Sequence, residues 1–597
     1  MQTKMVSYYS PAEEALLRES KVPYILRPDF WQSRNFRLML VSSEYAPLGI
    51  RSGGLADVAG NLAAALAGLG VDVNVVIPYY LQAKSWLFHH RAREVNNSDD
   101  LSAYLDSNPF WQASKYYQEN HRPSLLHIDL DKNLTCTLIS TSDQDYFGKT
   151  KPLYNGMNAE HGDSERFTLF NWLAAGYLNL RLEQYDSPVH LLHLNDWTSG
   201  LIPFFEKLLN ARVNTPALFS LHNIYSGALE MDFFNQLTGN AGDAGYGFVF
   251  DPLHRGGFHI NNHLDLLAAG LKWSDQVMTV SPRYHEELTH NPHFSGPYTG
   301  IIRQLEEEQI FGGITNGYNS SFELEAVLKN FPEVAVPTIS NSTDLLAARR
   351  QIKRIMQLEC GLRQDEDAML IGYVNRLAEQ KSYQETAEVM RRLLSSPQGQ
   401  RAQFIVVTTA QTDEELAKKE FFLSLQREFP GRVAVLPYSD ALACRINPAL
   451  DLHLMPSKYE PCGISQLNCY AVGTPTLANN VGGLHDTIVD DGNTASQTGY
   501  LFNGFAEDGS LQPERFLAKF QEGLERAVAD YQDRKRWTKL VENAYAKRLE
   551  YTWPAIAEKY LYWYGHIIAR RMLRAYAWQN GQPQEYIFRP EWLMPPR

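Results

Sequence analysis

The sequence predicts an α/β protein built from two doubly wound parallel-sheet domains in tandem. Three observations carry this reading. Over residues 36–80 an apolar run, a glycine-rich turn, an amphipathic helix and a second apolar run follow one another, which is a βαβ unit. The same grammar restarts after a polar crossing around 311–345. Finally, 597 residues exceed what one hydrophobic core sustains.

Residues 1–36 are polar and aromatic and read as an appended arm. FRLMLVSSEYAP (36–47) is the first strand, GIRSGGLADV the turn, AGNLAAALAGLG the helix and VDVNVVIPYY the next strand. Residues 82–125 are polar and irregular and read as an insertion. SPVHLLHLNDW, TPALFSLHN and DQVMTVSP then repeat the strand-then-turn pattern, completing a first domain over 37–325. In a second domain, 326–550, the strands are DAMLIGYVNRL, QFIVVTTAQ, RVAVLPYS and ALDLHLMPS, with helices such as YQETAEVMRRLL between them. Residues 551–597 form a closing segment, and apolar spacing over 555–578 predicts one long helix. Two such sheets in tandem are expected to face each other across a cleft at their strand C-termini, where open α/β sheets take ligands.

Composition narrows the function. A formal charge of −13 supplies no Lys/Arg excess for phosphate backbones, so no nucleic-acid partner is expected, although local basic clefts remain possible. No apolar run approaches a membrane span, and the N-terminal MQTKMVSYYSPAEEALL has no signal-peptide core. The five cysteines are odd in number and show no CxxC spacing, so they read as reduced thiols and not as a zinc site. The expectation is a cytoplasmic protein without a membrane partner.

Candidate chemistry collects at strand ends. In RSGGLADV (51–58), Gly53 and Gly54 precede a helix and let backbone amides meet an anion, with Arg51 adding charge and Asp57 an acceptor. A tight turn with a capping Asp explains the same residues equally well. Asp196 in LHLNDW and His222 and Asn223 in SLHN each end a predicted strand. A lone strand-end histidine is more often structural, but several such ends on one sheet favour a site more than any single one does. In IGYVNRLAEQK, Arg376 and Lys381 follow a strand, and two cations there suit a diphosphate better than a solvated pair opposing a helix dipole. SKYEPCGISQ (457–466) places Glu460 in a turn before a helix, as an acceptor for ligand hydroxyls or a carboxylate drawn to a helix N-terminus. Cys462 lacks a neighbouring base and reads as a packing residue. VGGLHDT supplies a further glycine turn at Gly482 and Gly483. Two cations, one carboxylate and two amide-rich turns suit a nucleotide diphosphate bearing a sugar.

In order and spacing, SGGLADV, HLNDW, SLHN, TVSP, ITNG, NRLAEQK, EPCGISQL and VGGLHDT resemble bacterial glycogen synthases and plant starch synthases, glycosyltransferase family five. DSERFTLFNWLAA (163–175) and LEYTW (549–553) extend the likeness over about 36–565. The resemblance implies a GT-B fold whose final helix returns to the first domain. It also implies retaining transfer of glucose from ADP-glucose or UDP-glucose to the non-reducing end of an α-1,4-glucan acceptor, with no metal or other cofactor. By motif match, Arg376 and Lys381 would neutralise the diphosphate, Glu460 would hold the glucose hydroxyls, and His222 would lie against the glucose near the reacting carbon. Asp57 and Asp196 fall on the sugar and acceptor side. Arg51, Gly53, Gly54, Asn223, Asn316, Cys462, Gly463, Ser465, Gly482 and Gly483 complete the substrate-binding set.

The chain departs from the family pattern at several positions. Arg51 replaces a lysine, Ala268 stands where a lysine is common, and 406–413 lacks the usual glycine turn. Asn479–Asn480 replaces a basic position, and 316–319 reads Asn-Gly-Tyr-Asn. These changes touch donor base, phosphate and acceptor surroundings more than the reaction type. The alternatives are therefore a same-fold retaining transferase with another donor or a non-glucan acceptor, and a non-catalytic carbohydrate-binding homologue.

Overall fold

The computed structural model describes residues 36–90, 95–96, 98–107, 112, 114, 122–141, 147, 153–154, 162–183, 188–209, 215–225, 227–239, 258–261, 263–335, 339–410, 412–506 and 509–579. The chain divides into two compact units. The first draws on residues up to Thr279, on Leu288–Ile314 and on residues from Ala557 onward; the second comprises Val280–Glu287 and Thr315–Ile556. The sequence reading divides the domains after 325 and keeps 280–287 in the first.

The first unit is centred on β1 (Arg37–Val41) and β2 (Asp72–Pro78), joined by helix α1 (Gly54–Gly68). It continues with β3 (Val95–Asn96), β4 (Pro123–Asp131), β5 (Leu134–Thr141), helix α2 (Asp163–Glu183), β6 (Leu191–Asn195) and β7 (Ala217–Leu221). β8 (Ala228–Leu229), β9 (His259–Ile260) and β10 (His263–Asp265) make a small separate sheet in the order β8-β10-β9. β11 (Gln276–Thr279) and β12 (Phe311–Gly313) complete the large one, ordered β12-β11-β7-β6-β1-β2-β5-β4-β3. Its pairings are parallel except β4 with β5 and β3 with β4. β1 (RLMLV) and β7 (ALFSL) are almost wholly buried, because helices cover both faces and the strands carry continuous apolar runs without alternation.

The described residues within 82–125, read from the sequence as an irregular insertion, are largely helical or extended. The segment contains helices Leu81–His90 and Ser98–Asp106, burying Leu101 and Leu105, and it leads into the β4–β5 hairpin. Its polar content conceals an apolar face, since one buried stripe is enough to seat a short helix against a sheet.

The second unit is a six-stranded, wholly parallel sheet of β13 (Met369–Val374), β14 (Ala402–Thr408), β15 (Val433–Pro437), β16 (Leu452–Met455), β17 (Thr476–Asn479) and β18 (Gly499–Phe502). The order is β15-β14-β13-β16-β17-β18. One apolar core fills it from Tyr318 to Tyr551. Arg349, buried in helix Ser342–Glu359, donates to the carbonyls of Val472 and Leu450 and to Thr474, tying that helix beneath the strand ends.

The final helix, Trp553–Gln579, begins among residues of the second unit and supplies Ala557 onward to the first. There Tyr564 hydrogen-bonds His193 Nδ1 of β6 at 2.6 Å, and Arg571 pairs with Asp275 beside β11 at 2.6 Å. Among the described residues no helix is long and apolar enough to cross a membrane.

Candidate active site

Each large sheet has a point where neighbouring strands are reached in opposite directions along the sheet. The chain departs from β1 to β2 on one side and later returns to β6 on the other; the second unit does the same at β13 and β16. A crevice opens at the carboxyl ends of the strands flanking such a reversal. The glycine turn and Asp196 follow the strands of the first reversal, and Arg376, Lys381 and Glu460 those of the second; His222 and Asn223 follow the neighbouring β7, Gly482 and Gly483 the neighbouring β17, and Asn316 the edge strand β12.

In the first unit, β1 runs into the glycine turn, β6 into Asp196, and its neighbour β7 into His222 and Asn223. Gly53, in extended backbone, precedes α1, and Gly54 opens it. Arg51 forms an ion pair with Asp57 on the first turn of the helix. The amides of Ser52 and Gly53 do not point to open solvent. Both donate to Glu44 Oε2, at 2.7 and 2.8 Å. Glu44, at the end of the first strand run, is a residue the sequence reading passes over.

Asp196 is held by its own N–H donating to Ser220 O at 2.9 Å. The short turn that follows, Trp197–Ser199, is pinned by Asn171 of α2, which donates to Thr198 O at 2.7 Å and accepts from Leu201 N–H at 2.9 Å. The Asp196 carboxyl is buried and pushed up to about 7, first by burial and then by the nearby Glu44 charge, against backbone donors from Trp197 and Asn223. Its Oδ1 has no hydrogen-bond partner among the described residues, which is rare for a buried polar atom.

His222 Nε2 lies 3.0 Å from Asn195 Oδ1, and the Asn195 Nδ2 donates to Val41 O at 3.1 Å. That orientation makes the amide oxygen an acceptor, so Nε2 carries the proton and Nδ1 is left as an acceptor. Burial lowers the His222 pKa to about 4, which keeps the ring neutral at pH 7.

In the second unit, Lys381 ends the short helical turn after β13, and its Nζ pairs with Glu460 Oε2, both side chains about a tenth exposed. Ser457 donates to the same oxygen at 2.8 Å, and Oε1 has no partner among the described residues. The two loops are also joined by Lys458 N–H to Gln380 O and Gln380 Nε2 to Tyr459 O. Arg376 is exposed and has no ion pair or hydrogen bond among the described residues. Lys381 and Arg376 are thus unlike: one is a buried ammonium on a carboxylate, the other a free guanidinium.

The turn 460–463 is buried. Burial pushes the Cys462 thiol up to about 12, and its sulfur accepts the Asn316 N–H at 3.4 Å. Asn316 keeps a buried Oδ1 without a partner among the described residues. Gly463 has φ +73°, and Ser465 Oγ sits 3.3 Å from His453 Nε2. Gly482 and Gly483 serve their own chain. A Cβ at Gly482 would strike Glu460 O, and one at Gly483 would strike Cys462 O. Their amides are used as well, Gly482 N–H by Glu287 Oε1 at 2.9 Å and Gly483 N–H by Glu460 O at 3.1 Å. Gln466 closes the turn by donating to Cys462 O and Gly463 O.

Of the departures, Ala268 is wholly buried in helix Leu266–Trp273, and Asn479 is consumed by Ser457 O, Asn480 N–H and Gly504 N–H. Among the described residues no group of His, Cys, Asp and Glu is arranged to hold a metal ion.

Two parallel α/β sheets with polar residues at each reversal define the GT-B class of glycosyltransferase. Comparison with known proteins gives the family. Residues 37–304 match the starch synthase catalytic domain, and 361–544 match glycosyl transferases group 1. The chain is 30% identical over 513 residues to a glycogen synthase of Paramagnetospirillum magneticum, covering 85% of this chain and 93% of that one. It is 28% identical over 533 residues to a glycogen synthase of Anaeromyxobacter sp., covering 88% and 98%. The catalytic domain of starch synthase IV from Arabidopsis thaliana, bound to ADP and acarbose, superposes with a TM-score of 0.69 at 22% identity, covering 90% of this chain and all of that one. The chain belongs to the glycogen and starch synthase family and is a glucosyltransferase.

Proposed function

We propose that the chain moves glucose from ADP-glucose, or UDP-glucose, to the non-reducing end of an α-1,4-glucan with retention. The observation that carries this is the pairing at β13 and β16: a free guanidinium, a buried ammonium and a carboxylate with one oxygen uncommitted. Breaking a sugar–phosphate bond builds negative charge on the departing diphosphate, and preorganised cations lower that barrier. Arg376 supplies a planar fork to phosphate oxygens, and Lys381 a point charge. Glu460 Oε1 accepts from glucose hydroxyls while Oε2 stays on Lys381, so the sugar and the counter-charge are held by one bonded pair.

We assign Asp196, with its unpartnered Oδ1, and neutral His222, with Nδ1 open, to sugar hydroxyls. A neutral imidazole suits a reaction in which positive charge grows on the sugar ring, because an imidazolium would oppose it. The reading assigns no metal and no covalent enzyme intermediate. Support for a nucleoside diphosphate beside a sugar chain comes from the Arabidopsis enzyme, which holds ADP and acarbose.

The test offers ADP-, UDP- and GDP-glucose to the full chain with glycogen or maltooligosaccharides, and follows nucleotide release and chain extension. Release and extension with ADP- or UDP-glucose are expected. No release from any donor by folded protein would refute the proposal, and release without extension would move the acceptor away from α-glucans.

A further inference from the structure

Glu44 stands outside every motif used above, yet it joins two of them. Its Oε2 accepts the amides of Ser52 and Gly53, and its Oε1 accepts the Tyr154 hydroxyl at 2.9 Å. Since the Tyr154 proton goes to Glu44, the Tyr154 oxygen accepts from Ser43 Oγ, also at 2.9 Å. Ser43 in turn accepts from Thr198 Oγ1 at 3.1 Å, and Thr198 lies in the turn that follows Asp196. Thr198 Oγ1 also lies 3.4 Å from Asn195 O; with its proton on the nearer Ser43 Oγ, the bonds align toward the Glu44 carboxylate, and such aligned bonds reinforce one another. The carboxylate also faces Asp196 closely enough to raise its pKa.

We propose that Glu44 is a positioning residue for glucosyl transfer: its carboxylate fixes the glycine turn at 51–54 and, through Tyr154, Ser43 and Thr198, sets that turn against Asp196. The assignment rests on the transferase reading given above. It changes what the glycine turn offers a phosphate. Ser52 and Gly53 amides are already occupied, so the donors left are those of the first helical residues, Gly54 and Leu55, which have no intrahelical acceptor.

Glu44→Ala and Glu44→Gln test this in the full chain. The glutamine carbonyl can still accept both amides, whereas alanine leaves them to water. Ser52 and Gly53 are exposed, so water can replace the lost acceptor without unfolding. Hydrogen exchange of peptides covering 49–55 is expected to quicken about tenfold in E44A and to stay near wild type in E44Q. In donor kinetics, E44A is expected to lose about ten- to a hundredfold in kcat/KM, with the fall in kcat exceeding the rise in KM, and E44Q to recover most of it. Wild-type exchange in E44A, unchanged kinetics, or equal losses in both variants would overturn the assignment. Should E44A not fold, Glu44→Asp carries the test, because it keeps the charge but withdraws it by one methylene; wild-type exchange there overturns the proposal. If the wild-type chain releases nucleotide from no donor, the transferase reading fails by itself, and the exchange pattern alone decides the place of Glu44.

Discussion

Asp196 has φ 60° and ψ 175°, a backbone region that residues other than glycine scarcely enter. Holding a buried carboxylate there costs about 1–3 kcal/mol, and the surrounding hydrogen bonds of Ser220, Ser199 and Asn171 enforce it. Asp196→Gly would relieve the backbone strain and remove the carboxyl together. We expect thermal melting of this variant to rise by about 2–4 °C, while turnover falls by about a hundredfold or more. A lowered melting temperature would show that the strain is not borne at this residue. Asp196 and His222 stand out in the sequence because each directly follows an apolar strand, and Lys381 and Glu460 because each lies in the polar turn after one. Glu44 sits in the same kind of place, three residues past Val41, and was passed over. What marks it is Tyr154, 110 positions away, and no local pattern encodes that bond.

At the scale of the element, glycines near the site do two different jobs. Gly53 has extended backbone and open space where a Cβ would stand, so Gly53→Ala is compatible with the fold. Gly482 has φ +42° and lies against the Glu460 carbonyl. Gly482→Ala is therefore expected to cost on the order of 2 kcal/mol or more, and to lower turnover by shifting the turn that holds Glu460. Melting and steady-state assays on the two variants check this; equal melting temperatures would refute the distinction. The sequence reading gave both glycine pairs to a ligand, because a strand–Gly–Gly–helix pattern looks alike whether phosphate or backbone approaches it. The strands themselves were read well, since their apolar runs are continuous. The β4–β5 hairpin and the helices before it were missed, because a thin buried stripe is hidden by polar neighbours.

Over the whole molecule, the buried titratable groups are unevenly shared. In the first unit burial lowers His190 and His193 to about 3 and His222 and His566 to about 4, and raises Asp196 and Glu206 to about 7. In the second it lowers His453 to about 3 and raises Glu287 to about 7. A histidine kept neutral by the fold withdraws stability as pH falls below 6.5, since the unfolded chain binds the proton first. A raised carboxyl acts oppositely: its contribution is full below about 4 and is lost as pH climbs toward 7. Burial also lowers His127 and His259 in the first unit and raises Asp486 in the second, so among the described residues six histidines against two carboxyls leave the first unit acid-sensitive, while His453 against Glu287 and Asp486 does not leave the second so. Between pH 6.5 and 4.5 the first unit should lose on the order of 2 kcal/mol per pH unit, and hydrogen exchange at the two pH values should show it opening first. Earlier or equal opening of the second unit would contradict this balance. The last helix adds an order in time. The first unit's interior histidine, His193, waits for Tyr564, and Asp275 waits for Arg571. During synthesis both partners leave the ribosome only after the entire second unit, so the half of the protein that is made first is the half that is finished last.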